Sequence, residues 1–89
     1  MEKSISTPEY RKLLDLLRQV RKEAAITQVE LADAIDESQS FVSKVERGEI
    51  RIDLVQLRTV VHAIGSSLPE FIERYEALLR KPTKRKLRR

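Results

Sequence analysis

Thr27-Gln-Val-Glu-Leu-Ala-Asp-Ala-Ile35, followed after Asp36 and Glu37 by Ser38-Gln-Ser-Phe-Val-Ser-Lys-Val-Glu-Arg-Gly48, is the stretch that decides how this chain folds. Thr27 and Glu30 have the spacing of a capping box, in which a hydroxyl and a carboxylate each satisfy a backbone N–H left unpaired at a helix start. Ser38 is the natural cap of a second helix, and Gly48 stands where a left-handed residue would end it. The two helices, about 28–35 and 39–47, are separated only by Asp36, Glu37 and Ser38. Helices this short and this close share a core by crossing steeply, and the small Ala32 lets them approach. With Gln39 at 0° and steps of about 100°, Phe41, Val42 and Val45 fall together on the inward side. Phe41 is expected to pack against the first helix of the pair rather than touch a thymine methyl. The opposite side holds Gln39, Ser40, Ser43, Lys44 and Arg47, with no acid at its centre and Glu46 on the flank. Amide, hydroxyl and cationic groups without carboxylates suit a surface that meets phosphates and base edges.

Apolar residues recur at helical spacing on both sides of this pair, and alternating strand patterns are absent. A first helix is expected with Thr7 as cap and Pro8 at its first position, burying Tyr10, Leu13, Leu14, Leu17, Val20 and Ala24. Leu31, Ala32 and Ile35 form the buried face of the second helix. A fourth opens at Asp53-Leu-Val-Gln56, buries Leu54, Leu57, Val60, Val61 and Ile64, and stops at Gly65. A fifth opens at Ser67-Leu-Pro-Glu70 and carries Leu68, Phe71, Ile72, Tyr75, Leu78 and Leu79 on one stripe before Pro82. That stripe either caps the core or makes a two-fold interface through Tyr75, Leu78 and Leu79, and its length favours the interface. The expected organisation is an arm over residues 1–7, a five-helix domain over 8–80, and a basic tail over 81–89.

Composition narrows the function. The 89 residues contain no cysteine, which removes disulfides and thiolate metal sites and fits a reducing cytoplasm. No apolar run approaches the roughly 18 residues needed to span a bilayer, and the first residues lack the order of a secretory signal. The net charge of +4 is unevenly distributed: residues 80–89 carry seven cations, and residues 1–79 hold 11 basic and 14 acidic side chains. The body is therefore mildly acidic, and the placement of charge on each helix matters more than the sum. His62 is the sole histidine and lies off the apolar face, and Asp36 and Glu37 have no nucleophile or base beside them. Neither an active site nor a cofactor is expected.

The quoted stretch resembles the helix-turn-helix of phage repressor/Cro-like (XRE) transcriptional regulators. The likeness runs from about Leu13 to Ile72, through Leu17-Arg-Gln-Val-Arg-Lys22 in the first helix and Ala63-Ile-Gly-Ser-Ser-Leu-Pro-Glu-Phe-Ile72 at the close. It implies an all-α, five-helix, lambda-repressor-like domain that binds double-stranded DNA. It further implies that Gln28 bonds a phosphate and braces Gln39, that Gln39 and Ser40 face base edges, and that Ser43 and Lys44 reach bases or backbone. Ser38 and Arg47 complete the implied DNA face. Arg21 and Glu46 match a family pair that ties the first helix to the third while leaving the guanidinium near the DNA backbone. The family usually has glycine where Ala25 and Asp36 stand, because the chain turns there through left-handed conformations. It also has a buried aliphatic where this chain has Glu37, which either loosens the turn or leaves Glu37 at the surface.

The leading expectation is a sequence-specific regulator, a repressor that binds a palindromic operator as a homodimer. The alternative is an antitoxin-like protein that neutralises a protein partner through its fifth helix and tail and autoregulates its operon. The tail either lies along phosphates or serves only as a solubilising end.

Overall fold

The computed structural model describes residues 7–80. The expected tail over 81–89, and the arm up to residue 6, lie outside the described residues. Each helix begins where a side chain takes up its unpaired backbone donors. The Thr7 hydroxyl accepts from the Tyr10 N–H at 3.1 Å, and Pro8 opens α1, Pro8–Glu23. Thr27 and Glu30 form the expected capping box at the start of α2, Gln28–Ala34. The Ser38 hydroxyl accepts from the Phe41 N–H at 3.0 Å and starts α3, Gln39–Glu46. Asp53 and Gln56 form a second capping box before α4, Leu54–Ile64. Ser67 accepts from the Glu70 N–H near the start of α5, Leu68–Arg80.

The ends of the first four helices share one device. The chain turns through a left-handed residue, Ala25 (φ 60°), Asp36 (φ 61°), Gly48 (φ 82°) or Gly65 (φ 95°). In each case that residue and the next donate their N–H groups back to the last helical turn. After α3, for example, Gly48 bonds the Val45 carbonyl at 3.0 Å and Glu49 bonds the Lys44 carbonyl at 2.8 Å. This is the Schellman arrangement, which pairs carbonyls that a helix end would otherwise leave open. Ala25 and Asp36 adopt the conformation expected of them without being glycine, and alanine does so at a cost of about 1 kcal/mol.

Helix α1 packs against α3, α4 and α5, and α2 packs against both α3 and α4. One core results, with Leu14, Val61 and Phe71 at its centre and Leu17, Leu31, Val42, Val45, Leu57 and Val60 around them. The Tyr10 hydroxyl accepts from the Ile52 N–H at 3.0 Å, which pins the link between α3 and α4 to α1.

Four expectations need correction or completion. Leu54, expected in the core, is 64% exposed, and its neighbour Val55 is 75% exposed. Leu54 has the right angle for the buried face but sits on the first turn, beyond the reach of the packed neighbours. Ala24 is exposed because it is the residue that ends α1. Leu16 is buried although it lies off the expected stripe; packing against three helices gives α1 a wider buried surface than one stripe. Ile52, in the link, completes the core. Phe41 is half-buried against the core, as expected. Asp36 and Glu37 are exposed, so the turn keeps its hydrogen bonds and leaves Glu37 at the surface.

Ala25→Gly is expected to raise the unfolding free energy by up to about 1 kcal/mol, because glycine relieves the left-handed strain. Gly65→Ala is expected to lower it by a similar amount: a Cβ at Gly65 meets nothing within 4 Å, so the cost is backbone strain alone. Urea titration of the two variants checks both signs.

Candidate nucleic-acid interface

The interface is organised from beneath by a buried ion pair. Arg21 donates from Nε to Glu46 Oε2 at 2.6 Å and from Nη2 to Glu46 Oε1 at 3.0 Å. Its Nη1 donates to the Ile26 carbonyl at 2.8 Å. The two side chains are 8% and 5% exposed, so α1, the link to α2, and α3 are tied at one point away from water. The Arg21 guanidinium is enclosed, and each of its three nitrogens donates a hydrogen bond within the chain. Burial pushes the Glu46 carboxyl up, but hydrogen bonds from Arg21 and Gln28 and the charges of Arg21 and Arg18 outweigh it, leaving the group below its ordinary range.

From Glu46 a line of hydrogen bonds runs outward. Gln28 Nε2 donates to Glu46 Oε1 at 2.9 Å, and Gln39 Nε2 donates to Gln28 Oε1 at 3.0 Å. An ionised carboxylate only accepts, so Glu46 dictates which end of the Gln28 amide faces it. Gln28 then presents its carbonyl oxygen to Gln39, and Gln39 must answer with N–H. The outcome is a Gln39 amide with a set polarity, offering Oε1 and its second N–H to whatever lies outside.

Around it, Ser38, Gln39, Ser40, Lys44 and Arg47 are exposed, and Gln28 and Ser43 are half-buried. The Ser38 hydroxyl is engaged as the α3 cap. Arg47 is paired with Glu49 at 2.8 Å and also donates from Nη1 to the Ser43 hydroxyl. Glu46, expected on the flank of this face, is buried beneath it. The exposed part of the α3 face therefore carries no carboxylate of its own helix. Two interactions were not legible in the sequence. Glu49 lies beyond the end of α3, where helical angles no longer apply, and Arg11 reaches the Arg47 carbonyl from α1 at 3.3 Å. The expected interface residues on α5 are half-buried: Tyr75 and Leu78 pack against the chain's own core, and the Tyr75 hydroxyl donates to the Glu9 carbonyl at 2.9 Å. Leu79 is half-buried outside that group.

Arg21→Met strands a buried carboxylate and is expected to cost about 3 to 5 kcal/mol, whereas the double variant Arg21→Met/Glu46→Leu should recover much of this. Because the folded-state pKa of Glu46 is lowered, its contribution is complete above the unfolded value of about 4.3. It is lost as pH falls through the folded value. Stability of the wild type measured across pH 2 to 6 should show an acid limb that Glu46→Gln flattens.

The chain matches the Helix-turn-helix family model over residues 17–71. No curated protein matches it. Among solved structures, an XRE-family like protein from Pseudomonas syringae pv. tomato is 39% identical, with a TM-score of 0.78, over 85% of this chain and 93% of that one. The clp gene regulator ClgR from C. glutamicum is 28% identical, with a TM-score of 0.70, over 80% of this chain and 91% of that one. A point mutant of the restriction-modification controller protein C.Esp1396I, 21% identical, shares the fold at a TM-score of 0.78, over 86% and 98% of the two chains. The chain belongs to the XRE-type helix-turn-helix family of DNA-binding transcriptional regulators.

Proposed function

We propose that this regulator is a sequence-specific repressor that acts in the cytoplasm as a homodimer on a near-palindromic operator. The observation that carries the reading is the fixed polarity of Gln39, held by Gln28 on a face whose exposed groups are amide, hydroxyl and cationic. In the major groove, an acceptor beside a donor complements the N6 amino group and N7 of adenine. Gln39 is thus assigned to an adenine, with Ser40 and Ser43 toward neighbouring base edges and Lys44 and Arg47 toward bases or backbone. Gln28 and Ser38, at the starts of α2 and α3, lie toward phosphates. Arg21 supports this set from below.

A dimer would place two such helices about 34 Å apart on one face of the duplex. The parts of Tyr75, Leu78 and Leu79 that the chain's own packing leaves uncovered would supply a two-fold contact on α5. The basic tail would follow the phosphates and add affinity without adding sequence choice.

Gln39→Ala is expected to weaken binding to a site selected from a random duplex pool by about 1 to 3 kcal/mol, with little change on random duplex. Equal loss on both would remove Gln39 from base reading, and a selected site without two-fold symmetry would remove the dimer. Deleting Lys84 to Arg89 should flatten the dependence of log affinity on log salt by up to about 0.9 for each phosphate the tail neutralises. An unchanged slope would assign the tail to solubility alone.

A further inference from the structure

Among the described residues, Arg47 is the cation of the α3 face whose charge is already matched by a carboxylate of its own chain. Nε donates to Glu49 Oε2 at 2.8 Å, Nη2 donates to Glu49 Oε1 at 3.2 Å, and Nη1 donates to the Ser43 hydroxyl. The paired edge of the guanidinium is the edge with which arginine grips a phosphate. Both side chains are 53% exposed, so the pair stands where a duplex lying on α3 would reach it.

The pair is also built rather than incidental. The Glu49 backbone is set by the Schellman bonds that end α3, and Ile50 adds a bond to the Lys44 carbonyl at 3.3 Å. Arg11 holds the Arg47 carbonyl from α1. With the backbone from Arg47 to Glu49 pinned on both sides, the two side chains begin within reach of one another, and less freedom is lost when they meet. The hydrogen bond from Arg47 holds the Glu49 carboxyl below its ordinary range, and the nearby charge of Lys44 acts in the same direction.

We propose that Glu49 is a specificity-determining residue that occupies the phosphate-gripping edge of Arg47 in the free protein, and so suppresses sequence-independent binding to DNA. This rests on the assignment of α3 as the DNA-reading helix. A phosphate must displace the Glu49 carboxylate to engage Arg47. On random duplex, where phosphate contacts supply the affinity, that displacement is felt in full, whereas a cognate complex held by the base contacts of Gln39 and its neighbours keeps more of the Arg47–Glu49 pair intact. Glu49 therefore lowers affinity for random duplex more than for a cognate site, and so widens the ratio between the two. Release of Arg47 would also free the Ser43 hydroxyl, which couples phosphate binding to a group facing the bases.

The test is a double-mutant cycle between Glu49→Gln and Arg47→Ala, read as affinity for a random-sequence duplex and for a selected site across a salt series. In the wild-type background, Glu49→Gln is expected to raise random-duplex affinity about two- to five-fold, the scale of one exposed ion pair. It should also steepen the salt slope by up to about 0.9, the value for one further phosphate neutralised. The gain on the selected site should be smaller, so the specificity ratio falls. In the Arg47→Ala background, Glu49→Gln should change neither affinity by more than a small factor. An equal gain in both backgrounds would reduce Glu49 to a general negative charge near DNA, and no gain in either would remove its role; both overturn the proposal while leaving DNA reading intact. A wild-type protein that binds no duplex at all would instead overturn the assignment of α3, and this inference with it.

Discussion

The Arg21–Glu46 pair is the constraint on which the rest of the molecule depends. α2 and α3 are seven and eight residues long, too short to persist alone, so their relative placement must come from interactions outside themselves. The apolar core supplies most of the attraction, but it does not say where Gln28 and Gln39 point. The pair does, because it joins α1, the Ile26 carbonyl and α3 at one buried point and leaves a single carboxylate oxygen to receive Gln28. Two charges out of water are costly; here the geometry answers the cost with two bonds between the partners and one further hydrogen bond for each.

The helix ends serve the same purpose by other means. Four helices stop through the same left-handed turn, which sends the chain back across the body at once and keeps the links short. Where glycine occupies the turn the conformation is free of strain. Where Ala25 and Asp36 occupy it, the turn is held against a local preference by the packing of α1, α2 and α3. Glu37 fits the same picture. A charged residue in the turn between α2 and α3 leaves the Schellman bonds at Ala32 and Asp33 intact, since those bonds belong to the backbone.

Much of this was legible in the sequence because caps are local. Thr7, Thr27, Ser38 and Asp53 each announce a helix through residues within four positions, and every one of them caps in the structure. Burial was less legible because it depends on what lies opposite. Leu54 has the angle of a core residue and no neighbour to cover it, whereas Leu16 has the wrong angle for one stripe and is covered by another helix. The exposed polar face of α3 followed from angle alone. The polarity of its first glutamine did not, since that depends on Gln28 and Glu46, 11 residues before it and seven after. Glu49 escaped for a related reason: its pairing with Arg47 arises from a turn, and a turn has no period.

The hydrogen bonds that link Arg21 to Gln39 converge on one acceptor from both sides. Every one of them is given toward Glu46, and reversing any one amide would set two acceptors or two donors face to face. On the proposed reading of α3, a geneticist who isolated substitutions that change which DNA sites are recognised would find some of them at the buried Arg21–Glu46 pair. Such positions would also appear among variants that fold poorly. The orientation of the Gln39 amide and the integrity of the core rest on the same residues, and selection on either one constrains the other.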